Sequence, residues 1–156
     1  MKRNTTTFLM SLLFILGTFS IQAQTDMVWD AYGVGFSVPK DFVEETNNRE
    51  EFSAGNDNVF MTIMPLADET ITDDDLADAV VLMAEEMEYD RVQEGDEIDI
   101  DDFTGYYVKG KKDGANAILM ALLDKESSTN LFVAIVYVNG FEDAAIDMAV
   151  SFYAYD

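Results

Sequence analysis

Two apolar runs, Ala117 to Leu123 and Leu131 to Val138, are separated only by the polar stretch Asp124-Lys125-Glu126-Ser127-Ser128-Thr129-Asn130. Each run has the length of a strand, and the second is rich in β-branched and aromatic residues. Neither alternates apolar with polar residues, so both faces of both strands must be covered by protein. The rest of the chain has to supply those covers.

Upstream, Val34, Phe36 and Val38 alternate with small residues, as in a strand with one buried face, and Pro39 ends it. Phe42 is expected to tuck back onto the core. Asp26 to Asp30 reads as a short lead-in and Glu44 to Glu51 as a polar turn. Glu51 to Ala54 and Val59 to Leu66 read as strands around the turn Gly55-Asn56-Asp57-Asn58. Thr72 followed by Asp73-Asp74-Asp75 marks a helix start, with a hydroxyl able to cap and carboxylates at the positive end of the dipole. Leu76, Ala79, Val80, Met83 and Met87 form its stripe, and the helix should end near Tyr89. Its last turn carries Glu85, Glu86 and Glu88, the wrong sign for a helix C-terminus.

Asp96 to Asp102 alternates acids with Ile98 and Ile100, a strand with one charged face that discourages edge-to-edge association. Phe103 to Lys111 follows, and Lys112-Asp113-Gly114 is a hairpin turn. After Asn139-Gly140 a final helix carries Phe141, Ala145, Met148 and Phe152, widened by Ile146 and Val150, and Tyr153 to Asp156 is an extended tail. This order predicts an α+β domain. Its antiparallel sheet would have about six to seven strands, with one helix on each face of the two central ones.

The first 23 residues read as a signal peptide. Lys2 and Arg3 provide the charged start, Phe8 to Phe19 the apolar middle, and Ala23 the small residue before cleavage. Ser11, Gly17, Thr18 and Ser20 interrupt a run already too short for a membrane anchor of roughly 20 residues. The predicted mature chain, residues 24 to 156, is a single domain, exported to the periplasm or beyond, with no stable membrane insertion. It has no cysteine, hence no disulfide framework. Removing Lys2 and Arg3 from nine basic residues leaves seven against 31 acidic ones, a net charge of −24. Such a charge argues against nucleic acid and anionic membrane surfaces as partners.

The opening Gly35-Phe36-Ser37-Val38-Pro39, the strand holding Gly105-Tyr106-Tyr107, and a final helix closing on Ser151-Phe152 resemble the PsbP-type fold. That three-layer α/β/α sandwich is named for an extrinsic photosystem subunit. It is shared with a Ran-binding nuclear transport factor and many secreted bacterial domains. Phe42 stands where family members often carry tryptophan. The resemblance implies a binding or assembly factor without catalysis, and it transfers no functional residue, because the matching positions are architectural.

With neither histidine nor cysteine in the chain, a Ser-His-Asp triad, a thiol nucleophile and the usual zinc sites cannot be assembled. No Gly-rich phosphate loop is present. A carboxylate-dependent hydrolase needs only two acids at the right separation, and a chain this acidic always offers pairs. Asp96, Asp99, Asp101 and Asp102 form the densest acidic cluster and are the candidate ligands for calcium. Their spacing departs from the helix-loop-helix calcium motif: Phe103 sits where a third ligand belongs, and Gly105 is one place late. Tyr106, Lys109, Lys111 and Lys112 are the candidate contact for an anion or a partner, a protein or small ligand of the cell envelope. An ordinary solvated hairpin is the competing reading. The expectation is therefore an exported, non-catalytic binding or assembly domain, with a cation-binding protein and a small hydrolase as alternatives.

Overall fold

The structure is a computed structural model that describes residues 23–66 and 72–155. The strands are β1 (Gln24–Trp29), β2 (Val34–Pro39), β3 (Val43–Asn47), β4 (Phe52–Gly55) and β5 (Val59–Pro65). A 3-10 turn at Asp73–Asp75 leads into α1 (Leu76–Glu86). Then come β6 (Asp90–Ile100), β7 (Phe103–Lys112), β8 (Ala115–Asp124), β9 (Asn130–Tyr137), α2 (Glu142–Ala149) and β10 (Tyr153–Ala154). Most of the signal-peptide expectation falls on residues 1–22, outside the described residues, as does Asp156 at the end of the tail.

The two apolar runs lie side by side as β8 and β9, inside an antiparallel sheet ordered β3-β4-β5-β9-β8-β7-β6. Their register explains the unbroken hydrophobicity. Ile118 opposite Ile135 and Met120 opposite Val133 face one side, while Leu119 opposite Ala134 and Ala121 opposite Phe132 face the other. All eight are at most 3% exposed, and each large aliphatic or aromatic side chain among them contributes roughly 1.5–3 kcal/mol. On the second side α1 packs across β6, β7 and β8 through Leu76, Val80 and Ala84. The small Ala117, Ala121 and Ala134 beneath let the helix approach closely.

The first side corrects the expected architecture. It is not covered by a helix alone, and the molecule is not a helix-on-each-face sandwich: among the described residues strand makes up 54% and helix 17%. A second sheet, β1-β2-β10, contributes Trp29, Val34, Phe36 and Val38 to the core there, and α2 adds Ala145, Met148 and Ala149. With eight residues, α2 is too short to roof a seven-stranded sheet. Three of the strands lie in segments read as lead-in, turn and tail. In β1, Thr25, Met27 and Trp29 alternate inward between exposed residues, a period-two pattern masked by its polar members. Four of the five residues of β3 are exposed, so that edge strand carries no hydrophobic signal.

Local details follow the sequence with two exceptions. Phe42 is buried in the core, and Asp113 and Gly114 both have positive φ, as a two-residue hairpin turn requires. The Thr72 hydroxyl, however, donates to the Asp75 carboxylate at 3.0 Å instead of capping a backbone amide. Ile146 and Val150 do not widen the core stripe of α2; they are 40% and 56% exposed. The short motifs quoted above are structural. The Tyr153 ring occupies the space a Cβ at Gly35 would need, and Gly105 presses against the carbonyl of Ala121. Ser151 Oγ accepts the Ser37 amide hydrogen at 2.9 Å, tying α2 to β2.

Candidate functional site

Strand β7 presents its side chains to alternate faces, and this divides the candidate contact residues. Tyr106 and Lys112 lie on the α1 face. Tyr106 packs at the margin of the α1 core. The Lys112 ammonium donates to the carbonyl oxygen of Met87 at 2.7 Å and sits 5.4 Å from the centre of the Tyr89 ring. Its role is to close a helix end. Lys109 and Lys111 lie on the opposite face, where they line a cleft of about 500 Å³ together with Arg91, Tyr137, Asn139 and Glu142.

Arg91 reaches the cleft through an irregularity in the edge strand. The pairing of β6 with β7 shifts register between Asp90 and Gln93, and Arg91 sits in that bulge with φ of 50°. Bulges re-aim side chains, and this one sets Arg91 beside Lys109 and Lys111. Sequence reasoning passed over Arg91 because it stands alone between acids. A regular hairpin about Asp101-Asp102 would set residue 91 opposite residue 112, and only the register shifts along β6 bring it to the 109–111 segment.

The Lys109 ammonium donates to Glu142 Oε1 at 2.6 Å, and this hydrogen bond raises its pKa against a smaller opposing effect of burial. Burial likewise raises the Tyr137 phenol, aided by the negative charge of Glu142 and opposed by Lys109. Asn116 donates to the side-chain oxygen of Asn139 at 3.0 Å across the cleft wall. Three cations against one carboxylate leave the cleft with two net positive charges, in a chain whose overall charge is −22. Neither Arg91 nor Lys111 forms an ion pair among the described residues.

The four acidic candidates are not brought together. Asp96 accepts the backbone amide hydrogen of Glu97 at 2.9 Å. Asp99 pairs with Lys125 at 2.6 Å, and the carbonyl of Asp101 accepts from the same ammonium at 2.9 Å. Asp102 Oδ2 accepts the Ala154 amide hydrogen at 2.8 Å. Asp96 and Asp99 occupy opposite faces of β6 by register, so the segment serves as a joint between the β6–β7 turn, the β8–β9 turn and β10. Among the described residues no group of three or more acidic side chains has the arrangement of a metal site. No described helix is long and apolar enough to cross a membrane.

The fold defines a sheet-rich protein with sheets of three and seven strands among the described residues, and it is similar to a solved structure. A crystal structure from Bacteroides thetaiotaomicron VPI-5482 is similar with a TM-score of 0.53 at 9% sequence identity. The similarity covers 87% of this chain and 50% of that one, so the chain spans about half that protein's length. At this identity the likeness concerns the fold alone. No protein-family model matches the sequence, and no curated protein matches it.

Proposed function

We propose that the chain is an exported, non-catalytic binding or assembly domain that receives an anionic group in the cleft formed by Arg91, Lys109 and Lys111. One observation carries this reading. Of the seven basic residues that follow residue 23, three line a single cleft and two of those have no ion-pair partner among the described residues. Like charges held together in an otherwise acidic molecule repel one another, and a bound anion relieves that repulsion. The lack of histidine and cysteine supports binding over catalysis, and the Lys2-Arg3 start with its apolar run supports export. The PsbP-type relationship belongs to the same proposal on its short motifs and contributes no site residue.

The test is a titration with succinate and with inorganic phosphate at low ionic strength, followed residue by residue through amide chemical shifts. Saturable shifts confined to Arg91, Lys111, Asn116 and Asn139, abolished in the Arg91→Gln/Lys111→Gln double variant, are the expected result. Shifts that stay linear with concentration and scatter over the surface would refute the reading.

A further inference from the structure

The cationic cleft does not end at Lys109. The same side chain also lines a groove of about 370 Å³ walled by Ile98, Ile100, Tyr107, Ile118, Ile146 and Val150. This groove exists because α2 packs on β2, β8 and β9 and leaves the neighbouring β6–β7 hairpin uncovered on that face. The apolar residues of β6 therefore reach only the margin of the core, while Ile146 and Val150 lean out from α2 above them. An exposed aliphatic wall is costly to leave in water, and here it adjoins a cleft of net positive charge.

We propose that the cleft and the groove are one site, for a small amphiphile with a single anionic head and an aliphatic or aromatic tail. This rests on the anion-binding reading of the cleft and adds the chemistry of the rest of the ligand. Charge sets the direction of binding. Along β6 the groove wall is Ile98 and Ile100, on the face shared with Tyr107, and these apolar side chains offer an anionic head no partner. Arg91, Lys109 and Lys111 attract it, so the head lies at the Lys109 end and the tail runs along β7 toward Phe103. From residue 109 to residue 103 a strand covers roughly 20 Å, room for a chain of ten carbons. Pockets of this kind, mostly apolar with a few placed polar groups, are the usual form of small-ligand sites.

The experiment is isothermal titration of the folded protein with butyrate, decanoate and decanol, below the concentration at which decanoate forms micelles. Each methylene removed from water favours binding, so decanoate is expected to bind at least about tenfold tighter than butyrate. Decanol should be weaker than decanoate. The Ile146→Ser/Val150→Ser double variant, which alters exposed positions and leaves the core intact, should erase the advantage of decanoate while preserving butyrate binding. Equal affinity for butyrate and decanoate would overturn the amphiphile site and leave the anion cleft standing. Equal affinity for decanol and decanoate would overturn it from the other end, since the head would then be irrelevant. Binding of none of these anions, with succinate and phosphate also silent, would remove both readings.

Discussion

The Lys112 ammonium lies 2.7 Å from the carbonyl oxygen of Met87, at the residue that caps the C-terminus of α1. The helix carries no basic residue in its own last turn and closes on Glu85, Glu86 and Glu88, where the dipole favours cations. The missing charge is delivered from the far end of β7, 25 residues along the chain. The ring of Tyr89 beneath Lys112 holds the ammonium in place. A fault in the local sequence is thus repaired by the tertiary fold.

Replacing Lys112 with methionine keeps the aliphatic stem and removes the hydrogen bond, the dipole interaction and the cation–π contact. The loss should be about 1–2 kcal/mol in urea unfolding. Lys111→Met, at an exposed neighbour with no ion pair among the described residues, should change stability by no more than about 0.5 kcal/mol. Equal effects of the two substitutions would show that the Lys112 contact contributes nothing.

The turn after α1 points to a stabilising substitution. Glu88 has φ of 62°. Its amide donates to the Glu85 carbonyl at 3.0 Å, and that of Tyr89 donates to Ala84 at 2.9 Å. This pair of bonds places a left-handed residue just past the helix end, a position that favours glycine. Glu88→Gly removes both the Cβ strain and a negative charge at the negative end of the dipole, so it should stabilise by about 1 kcal/mol. A raised urea midpoint with an unchanged slope is the expected signature.

The elements that carry their own hydrophobic pattern were legible in the sequence. The unbroken apolar runs gave β8 and β9, the Leu76–Val80 spacing gave α1, and Asp113-Gly114 gave the hairpin. What covers the first face was not legible, because Thr25 and Asp26 hide the alternation of β1 and β3 buries almost nothing. The candidate site was half legible. Lys109 and Lys111 could be singled out as a basic pair in an acidic chain. Whether a neighbour shared their face depended on strand parity, which separated them from Tyr106 and Lys112. Arg91 depended on a bulge, and no local pattern announces one.

Burial holds the Tyr89 phenol above its ordinary pKa of 10.0. Above about pH 10 the unfolded chain has lost that proton while the folded protein still holds it, so the unfolded state binds fewer protons and stability falls as pH rises. The contribution is complete below the unfolded-state pKa and disappears as pH passes the folded-state value. Lys109 and Tyr137, also raised, act in the same direction. Tyr89→Phe should therefore flatten the decline of urea stability between about pH 9 and 11. An unaltered slope would place the alkaline sensitivity elsewhere.

Asp102 provides a direct contest between a joint and a metal ligand. Strand β10 pairs with β2 over two residues only, and the bond from the Ala154 amide to Asp102 Oδ2, at 2.8 Å, joins those from Tyr155 to Gly33 and Asp30 in fixing this segment. Asp102→Ala should cost about 1–2 kcal/mol and raise hydrogen exchange at Ala154 and Tyr155 before the rest of the sheet responds. A calcium site would behave differently, since a cation bound only by the folded state stabilises in proportion to the logarithm of its concentration over its dissociation constant. Millimolar calcium should raise the melting temperature no more than sodium chloride of matched ionic strength, in both the native protein and Asp102→Ala. A calcium-specific rise that vanishes in Asp102→Ala would make the segment from Asp96 to Asp102 a cation site after all.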